Sequence, residues 1–348
     1  MSAGTRTLIV SDLHLGARLG RDVLRRPPAL AALLDALDGV ERLVLLGDVV
    51  ELVEGDPWRA LAAAEPVLRA IGARMGGREI VVVPGNHDGA LVYPWLRGHP
   101  AATARLDGVV PHDATRLLAT LTSFLAPARV EVRYPGVWLA PGVWATHGHY
   151  LDRHLMPATA YGVARGALGR QPRGDSTPAD YEFAGGPSLT RLEGRIIRAL
   201  PLPSAAVFDR LIEFVRAATM PTAPRRRRLS WLMVRVLGIQ MRRASIPAVA
   251  RVAERLGVDA DHLIFGHVHR LGPLAGDEPR QWQGPGGRPA ILNTGAWVHE
   301  PAIVHGVTPP HPYWPGGAVV LDDGLPPRAV ALLDHLPASA LRAPSRGT

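Results

Sequence analysis

Short runs of Val, Ile and Leu recur along the chain, and several of them close on polar residues suited to chemistry. Thr7–Val10 runs into Ser11-Asp12-Leu13-His14, and Leu43–Leu46 into Gly47-Asp48. Ile80–Val83 leads to Pro84-Gly85-Asn86-His87-Asp88. Val143–Ala145 leads to Thr146-His147-Gly148-His149, and Leu263–Phe265 to Gly266-His267-Val268-His269. Runs of this length read as buried strands. Strands that each deliver polar side chains at their C-terminal ends build a site along one sheet edge.

Between the first three runs the apolar spacing turns helical, over Pro28–Leu37 and over Trp58–Met75, the latter interrupted at Pro66. Strand, helix, strand, helix, strand predicts βαβ units and a parallel sheet. From about Glu131 the pattern predicts hairpins, with Pro135-Gly136 and Pro141-Gly142 as turns. Ile291–Gly295 and Ala318–Leu321 read as further strands. Between Tyr150 and Asp261 the chain gives loop-like Pro, Gly and Asp clusters, then helical patterns at Ser188–Leu200, Ala205–Ala218 and Arg225–Arg243. The expected organisation is a core of residues 1–150 and 262–335, a helical cap inserted at 151–261, and a flexible tail at 336–348.

Composition narrows the chemistry. The chain of 348 residues has no Cys, which excludes disulfides, thiolate metal sites and a thiol nucleophile. Any metal here must be held by His, carboxylate and amide groups. The net charge is +8 with every basic side chain an Arg, in a chain also rich in Ala, Gly and Pro. That is the mark of GC-rich coding, and only weak evidence for a nucleic-acid partner. The N-terminus has no signal-peptide pattern, and no uncharged apolar run approaches the roughly 18–20 residues a bilayer demands. A cytoplasmic protein is expected.

Each polar block has an ordinary reading. Asp12-x-His14 and Gly47-Asp48 alone are equally well turns. In Gly85-Asn86-His87-Asp88 a turn explains Gly, Asn and Asp but not His. A His-x-His pair is more often a surface feature or a satisfied core pair than a ligand pair, but on a strand the alternation turns both rings to one face. What the ordinary readings do not explain is the series of blocks in order, each closing an apolar run.

That series, Asp12-x-His14, Gly47-Asp48, Gly85-Asn86-His87-Asp88, His147 and Gly266-His267-x-His269, resembles the signature of the calcineurin-like metallophosphoesterase family, and Asn293-Thr294-Gly295 is similar to that family's C-terminal strand. The resemblance implies an α/β fold, a two-sheet β-sandwich flanked by helices, with the cap added. It implies two divalent metal ions, Mn first, with Fe or Zn as alternatives. Asp12, His14, Asp48 and His269 would hold one ion, and Asp48, Asn86, His147 and His267 the other, with Asp48 bridging. Mixed imidazole, carboxylate and amide donors suit such ions, and two of them about 3.5–4 Å apart clamp a phosphoryl group and activate water. His87 would protonate the leaving oxygen, with Asp88 fixing its ring.

Other neighbours stay open. Glu51 is an acceptor behind the ligands or only a helix-start carboxylate. His149 reaches substrate or merely lines the strand, and Asp152 and Arg153 stand where they would touch a leaving group. Gly47-Asp48-x-x-Glu51 followed by Glu54 to Trp58 is similar to the UDP-2,3-diacylglucosamine pyrophosphatase branch. That branch has Gly-Asn-Arg-Asp where this chain has His87, and a much shorter insertion, so its substrate is not carried over.

Arg228, Arg235 and Arg242 form a stripe through an apolar segment containing Trp231. Such a helix over 225–243 packs on the cap, or lies at the inner face of a membrane and points to a lipid-linked substrate. The expected partner is a phosphorylated small molecule or lipid-linked phosphate, with no specific nucleic acid. The expected reaction is hydrolysis of a phosphodiester, pyrophosphate or phosphomonoester. A nuclease of the same family and a non-catalytic scaffold are the alternatives.

Overall fold

A computed structural model of the chain describes residues 5–18, 20–99, 104–155, 175–183, 236–239, 241–304 and 306–342. The predicted helices at Ser188–Leu200 and Ala205–Ala218, and residues 225–235 and 240 of the basic segment, lie outside the described residues. No helix among the described residues is long and apolar enough to cross a membrane.

The first half follows the expected alternation: β1 (Arg6–Val10), α1 (Pro27–Ala36), β2 (Arg42–Leu46), α2 (Pro57–Arg74) and β3 (Glu79–Val83), with the three strands parallel. β4 (Asp107–Val110), α4 (Arg116–Phe124) and β5 (Arg129–Ala140) follow after a short α3 (Tyr93–Gly98). β6 (Val143–Thr146), β7 (His262–Phe265), β8 (Leu271–Gly272), β9 (Ala290–Thr294), β10 (Gly317–Asp322) and β11 (Arg328–Ala331) complete the strands.

Two of the predicted breaks do not occur. α2 runs unbroken through Pro66, because one missing N–H bond is a small loss beside the burial of Leu61, Val67, Leu68 and Ile71. Fully burying each such side chain contributes roughly 1.5–3 kcal/mol. Pro135-Gly136 makes no turn either: β5 is one strand of 12 residues, and these two residues mark where it changes partners. Asp107 of β4 pairs with Pro135, and Thr146 of β6 with Gly136. β5 therefore belongs to both sheets, β11-β10-β1-β2-β3-β5 on one side and β5-β6-β7-β9-β8 on the other.

Period-two patterning builds the sandwich. Ile9, Val44 and Val81 of the first sheet meet Val137, Ala145, Ile264 and Leu292 of the second in one core. Their neighbours Leu8, Leu43, Ile80 and Val82 face outward onto Leu33, Leu68 and Leu121 of the helices. The second sheet turns Trp144, Leu263 and Phe265 toward the helix Ile246–Arg255. The two-sheet, helix-flanked expectation is met. Within the segment expected as a tail, Ala338–Leu341 is a helical turn with Leu341 buried against the core; residues 343–348 lie outside the described residues.

Candidate metal centre

β1, β2, β3, β6 and β7 end within a few residues of Asp12, Asp48, Asn86, His147 and His267, and the loops beyond them are tied to each other. Asp12 N–H donates to the Gly47 carbonyl at 3.0 Å, and His14 N–H to that of Asp48 at 2.8 Å. The Asp48 carboxylate takes the His87 N–H at 2.8 Å, and the Asp12 carboxylate takes that of His267 at 2.9 Å. Asn293 holds the last loop in place, donating to the Gly266 carbonyl at 2.6 Å and accepting from Gly295 N–H.

The outcome includes two adjoining groups, Asp12 with His14 and His269, and Asp48 with His147 and His267, with His14, Glu51 and His87 as a third, the ligand atoms of each within 4.8 Å of one another. Asp48 stands between the first two, its Oδ2 3.1 Å from His147 Nε2 and 3.8 Å from His14 Nε2. Asn86 Oδ1 lies 3.0 Å from the same His147 nitrogen. Glycine is needed beside it: a Cβ at Gly47 would come within 2.2 Å of the His147 ring, and one at Gly85 within 2.4 Å of the Asp48 carboxylate.

The backbone singles out the same residues. Asp12, His14, Asp48, His267 and His269 have φ between 43° and 68°, and they are the only non-glycine residues with positive φ among those described. Left-handed backbone costs an L-residue roughly 1–2 kcal/mol. Its confinement to candidate ligands marks a site where side-chain direction outweighs local stability. It also corrects the expected use of strand alternation. β6 stops at Thr146 and β7 at Phe265, so the His-x-His pairs lie beyond the strands and turn by loop geometry.

Charge and unmet valence fit a cation. Asp12 Oδ1 and His14 Nε2 are buried without a hydrogen-bond partner, facing one another across 4.0 Å. Burial raises the Asp12 pKa, but His269 and His147 outweigh it and bring it to about 2. Burial likewise works against Asp48, whose carboxyl is nonetheless held well below the usual range by His147, His87 and His14. Burial lowers the His147 pKa, and the Asp48 and Asp12 carboxylates outweigh it, raising it to about 9. These carboxylates thus favour positive charge at a buried place, a demand that a cation would meet in place of the Nε2 proton. His147 Nδ1 lies 3.0 Å from the Leu46 carbonyl; a proton there turns the Nε2 lone pair toward Asp48 and Asn86.

The expected partner of His87 is different. Asp88 accepts from Gly85 N–H at 2.6 Å and Val49 N–H at 2.8 Å, so it braces the loop and does not orient His87. Burial, with Asp48 adding to it, raises the Asp88 pKa to about 6. Glu51 orients the ring: its Oε2 lies 2.7 Å from His87 Nδ1 and 2.9 Å from His14 Nδ1. Its Oε1 takes the N–H groups of Val53 and Glu54. Burial works against ionisation of Glu51, but the bonds from His14 and His87 bring its pKa to about 2. No helix starts at Glu51, which decides its role.

A cavity of about 410 Å³ opens in front of these groups, lined by His87, Asp152 and five of the seven candidate ligands, His14, Asp48, Asn86, His267 and His269. Asp152 Oδ1 lies 3.0 Å from His267 Nε2, so it engages a candidate ligand. His149 and Arg153 do not line the cavity. His149 turns to Glu182 at 3.0 Å, a buried carboxylate that also takes the Tyr134 hydroxyl. The Arg153 charge bears on His154 and Tyr181. Both positions depend on the helix Pro178–Phe183, between β6 and β7, which the sequence pattern does not mark.

Residues 5–160 match the family model of the calcineurin-like phosphoesterases. That span holds the first four blocks and ends before His267 and His269, which the fold brings to the same place. No curated protein matches. Among solved structures, a dimetal phosphatase from Danio rerio aligns over 95% of this chain and 100% of its own, at 14% identity and TM-score 0.35. A cold-active protein tyrosine phosphatase aligns over 92% and 74%, at 14% identity and TM-score 0.29. Another, from a psychrophilic Shewanella, aligns over 92% and 76%, at 10% identity and TM-score 0.29.

Proposed function

We propose that the chain as a whole is a calcineurin-like phosphoesterase that hydrolyses a phosphate ester or pyrophosphate at a dinuclear metal centre. The observation that carries this reading is the Asp48 carboxylate, placed between two clusters of candidate ligands at a cavity wall. Asp12, His14, Asp48 and His269 would hold one ion, and Asp48, Asn86, His147 and His267 the other. The donors fit Mn, Fe or Zn. Such ions activate water and neutralise the charge of the phosphoryl group.

The chain's own residues do the rest. His87, held at Nδ1 by Glu51, presents its other ring edge at the cavity, where it gives a proton to the leaving oxygen. Asp152 keeps the His267 ring in one orientation. Asp88 and Asn293 brace the loops that carry Asn86 and His267.

Hydrolysis of bis-p-nitrophenyl phosphate with Mn added or chelated tests this. Turnover lost on chelation and in His147→Ala supports it. Metal binding with no turnover on diester, monoester or pyrophosphate substrates sinks it in favour of a scaffold.

A further inference from the structure

The cavity has two chemistries on its walls. The candidate ligands come from the strand ends. Most of the remaining lining is apolar, from Leu151, Leu155, Leu237, Met241, Val298 and Ile303. These residues belong to the start and end of the insertion and to the segment after β9, so the wall is assembled from separate stretches of chain.

The polar remainder is poorly suited to a sugar or nucleoside. Among the described lining residues, Ser245 and Tyr313 carry the only hydroxyls, and Asn86 the only amide. Hydroxyls of a polyhydroxylated leaving group that lay against the apolar part of the wall would lose their water without recovering hydrogen bonds. Extra phosphates are disfavoured as well. Arg21 is the one arginine lining the cavity among the described residues, and both Glu300 carboxylate oxygens lie 3.3 Å from its Nη1. Glu54 and Asp152 add negative charge to the same wall. Negative charge on the substrate is therefore welcome only at the ligand end. The volume suits a small ligand that buries most of its surface.

We propose that the substrate is a phosphate ester of a hydrophobic alcohol, with its phosphoryl group at the candidate ligands and its uncharged alkyl or aryl group against the Leu151–Leu155, Leu237, Met241 and Ile303 wall. This rests on the phosphoesterase reading above and deepens it. In the reaction a water oxygen bonds to phosphorus, the ester P–O bond breaks, and the departing oxygen takes a proton to leave as the free alcohol. The remainder is released as phosphate or a phosphate monoester.

The test is calorimetric titration of the Mn-loaded full chain with methyl-, butyl- and hexylphosphonate, alongside turnover of bis-p-nitrophenyl phosphate by the same preparation. Affinity should rise at least about tenfold from methyl to hexyl, since buried methylenes add to binding, and it should vanish on chelation. Leu237→Asn and Ile303→Asn should each flatten that rise; Leu237 is partly exposed, so its variant serves if the other does not fold. Equal affinity along the series, or tighter binding of glycerol phosphate than of hexylphosphonate, overturns the hydrophobic substrate class while turnover leaves the phosphoesterase reading intact. A chain-length preference without turnover on any ester overturns the phosphoesterase reading and leaves only an apolar anion site. Loss of both overturns both.

Discussion

Oε2 of Glu51 lies 2.7 Å from Nδ1 of His87, and the same oxygen lies 2.9 Å from Nδ1 of His14. One carboxylate oxygen thus sets the ring of the candidate acid and of a candidate metal ligand together. The two rings meet edge to face, their centroids 4.8 Å apart. Asp88, adjacent to His87 in sequence, has both oxygens on backbone N–H groups.

That division of labour predicts different defects. Glu51→Gln should lower metal-dependent kcat by about 10–100-fold, the usual effect of losing a carboxylate that orients a ligand histidine. Its folding should be spared more than that of Asp88→Asn, whose fully buried carboxylate ties Gly85 to Val49. Steady-state kinetics and thermal melts of both variants decide the matter. Equal kinetic and stability losses in the two would refute separate roles.

The Asp48 carboxylate lies between two clusters, 3.1 Å from His147 and 3.8 Å from His14, whereas His267 belongs to one. Titration of the chelated protein with Mn should therefore give two ions for the native chain and one for His267→Ala. For Asp48→Asn it should give little binding at either site. Melting temperature should follow, because an ion that binds only the folded state stabilises it by about 2.7 kcal/mol at a hundred times its dissociation constant. Two ions retained in Asp48→Asn would rule out a bridging role.

His269 is held at φ 57°, a region where glycine is at ease and alanine is not. In metal-free protein, His269→Gly should be more stable than His269→Ala by about 1 kcal/mol, although both lose a ligand. Thermal denaturation in chelator measures this. At an ordinary helix position the order reverses, so alanine winning here would mean the strain is not stored at the site.

The candidate ligands were legible as a group because each follows a strand, and buried strands announce themselves by Val, Ile and Leu runs. Asp12, Asp48, Asn86 and His267 need only those strand ends and their glycines to be placed. Glu51 was undecided, since a carboxylate just beyond Asp48 reads as a helix start until the loop is seen to continue to α2 at Pro57. The role given to Asp88 failed for a related reason: adjacency in sequence says nothing about which acceptor a ring meets across a loop. His149 meets Glu182 of the segment between β6 and β7, a contact that leaves no periodic signal in the sequence. Pro135-Gly136 misled because a strand that passes between sheets looks locally like a turn.

The turn after β6 carries an acid-sensitive group where it meets the Pro178–Phe183 helix. His154 ends the turn His149–His154, its Nε2 2.8 Å from the Tyr181 hydroxyl and its Nδ1 buried without a partner. Burial first, then the charges of Arg255, Arg251 and Arg153, lower its pKa to about 4. The folded state therefore keeps this ring neutral at a pH where the unfolded chain has bound a proton. Its contribution to stability is complete above pH about 6.5, declines as pH falls, and is lost by about 4. The slope for one proton is at most about 1.4 kcal/mol per pH unit. His154→Gln stays neutral throughout, so the melting-temperature gap between it and the native chain should move in the variant's favour from pH 7 to pH 4.5. The comparison belongs in chelator, where ligand protonation does not mask it through metal release. A gap that stays constant over that range would mean His154 titrates alike in folded and unfolded chains, and that the Pro178–Phe183 helix does not seal it from water.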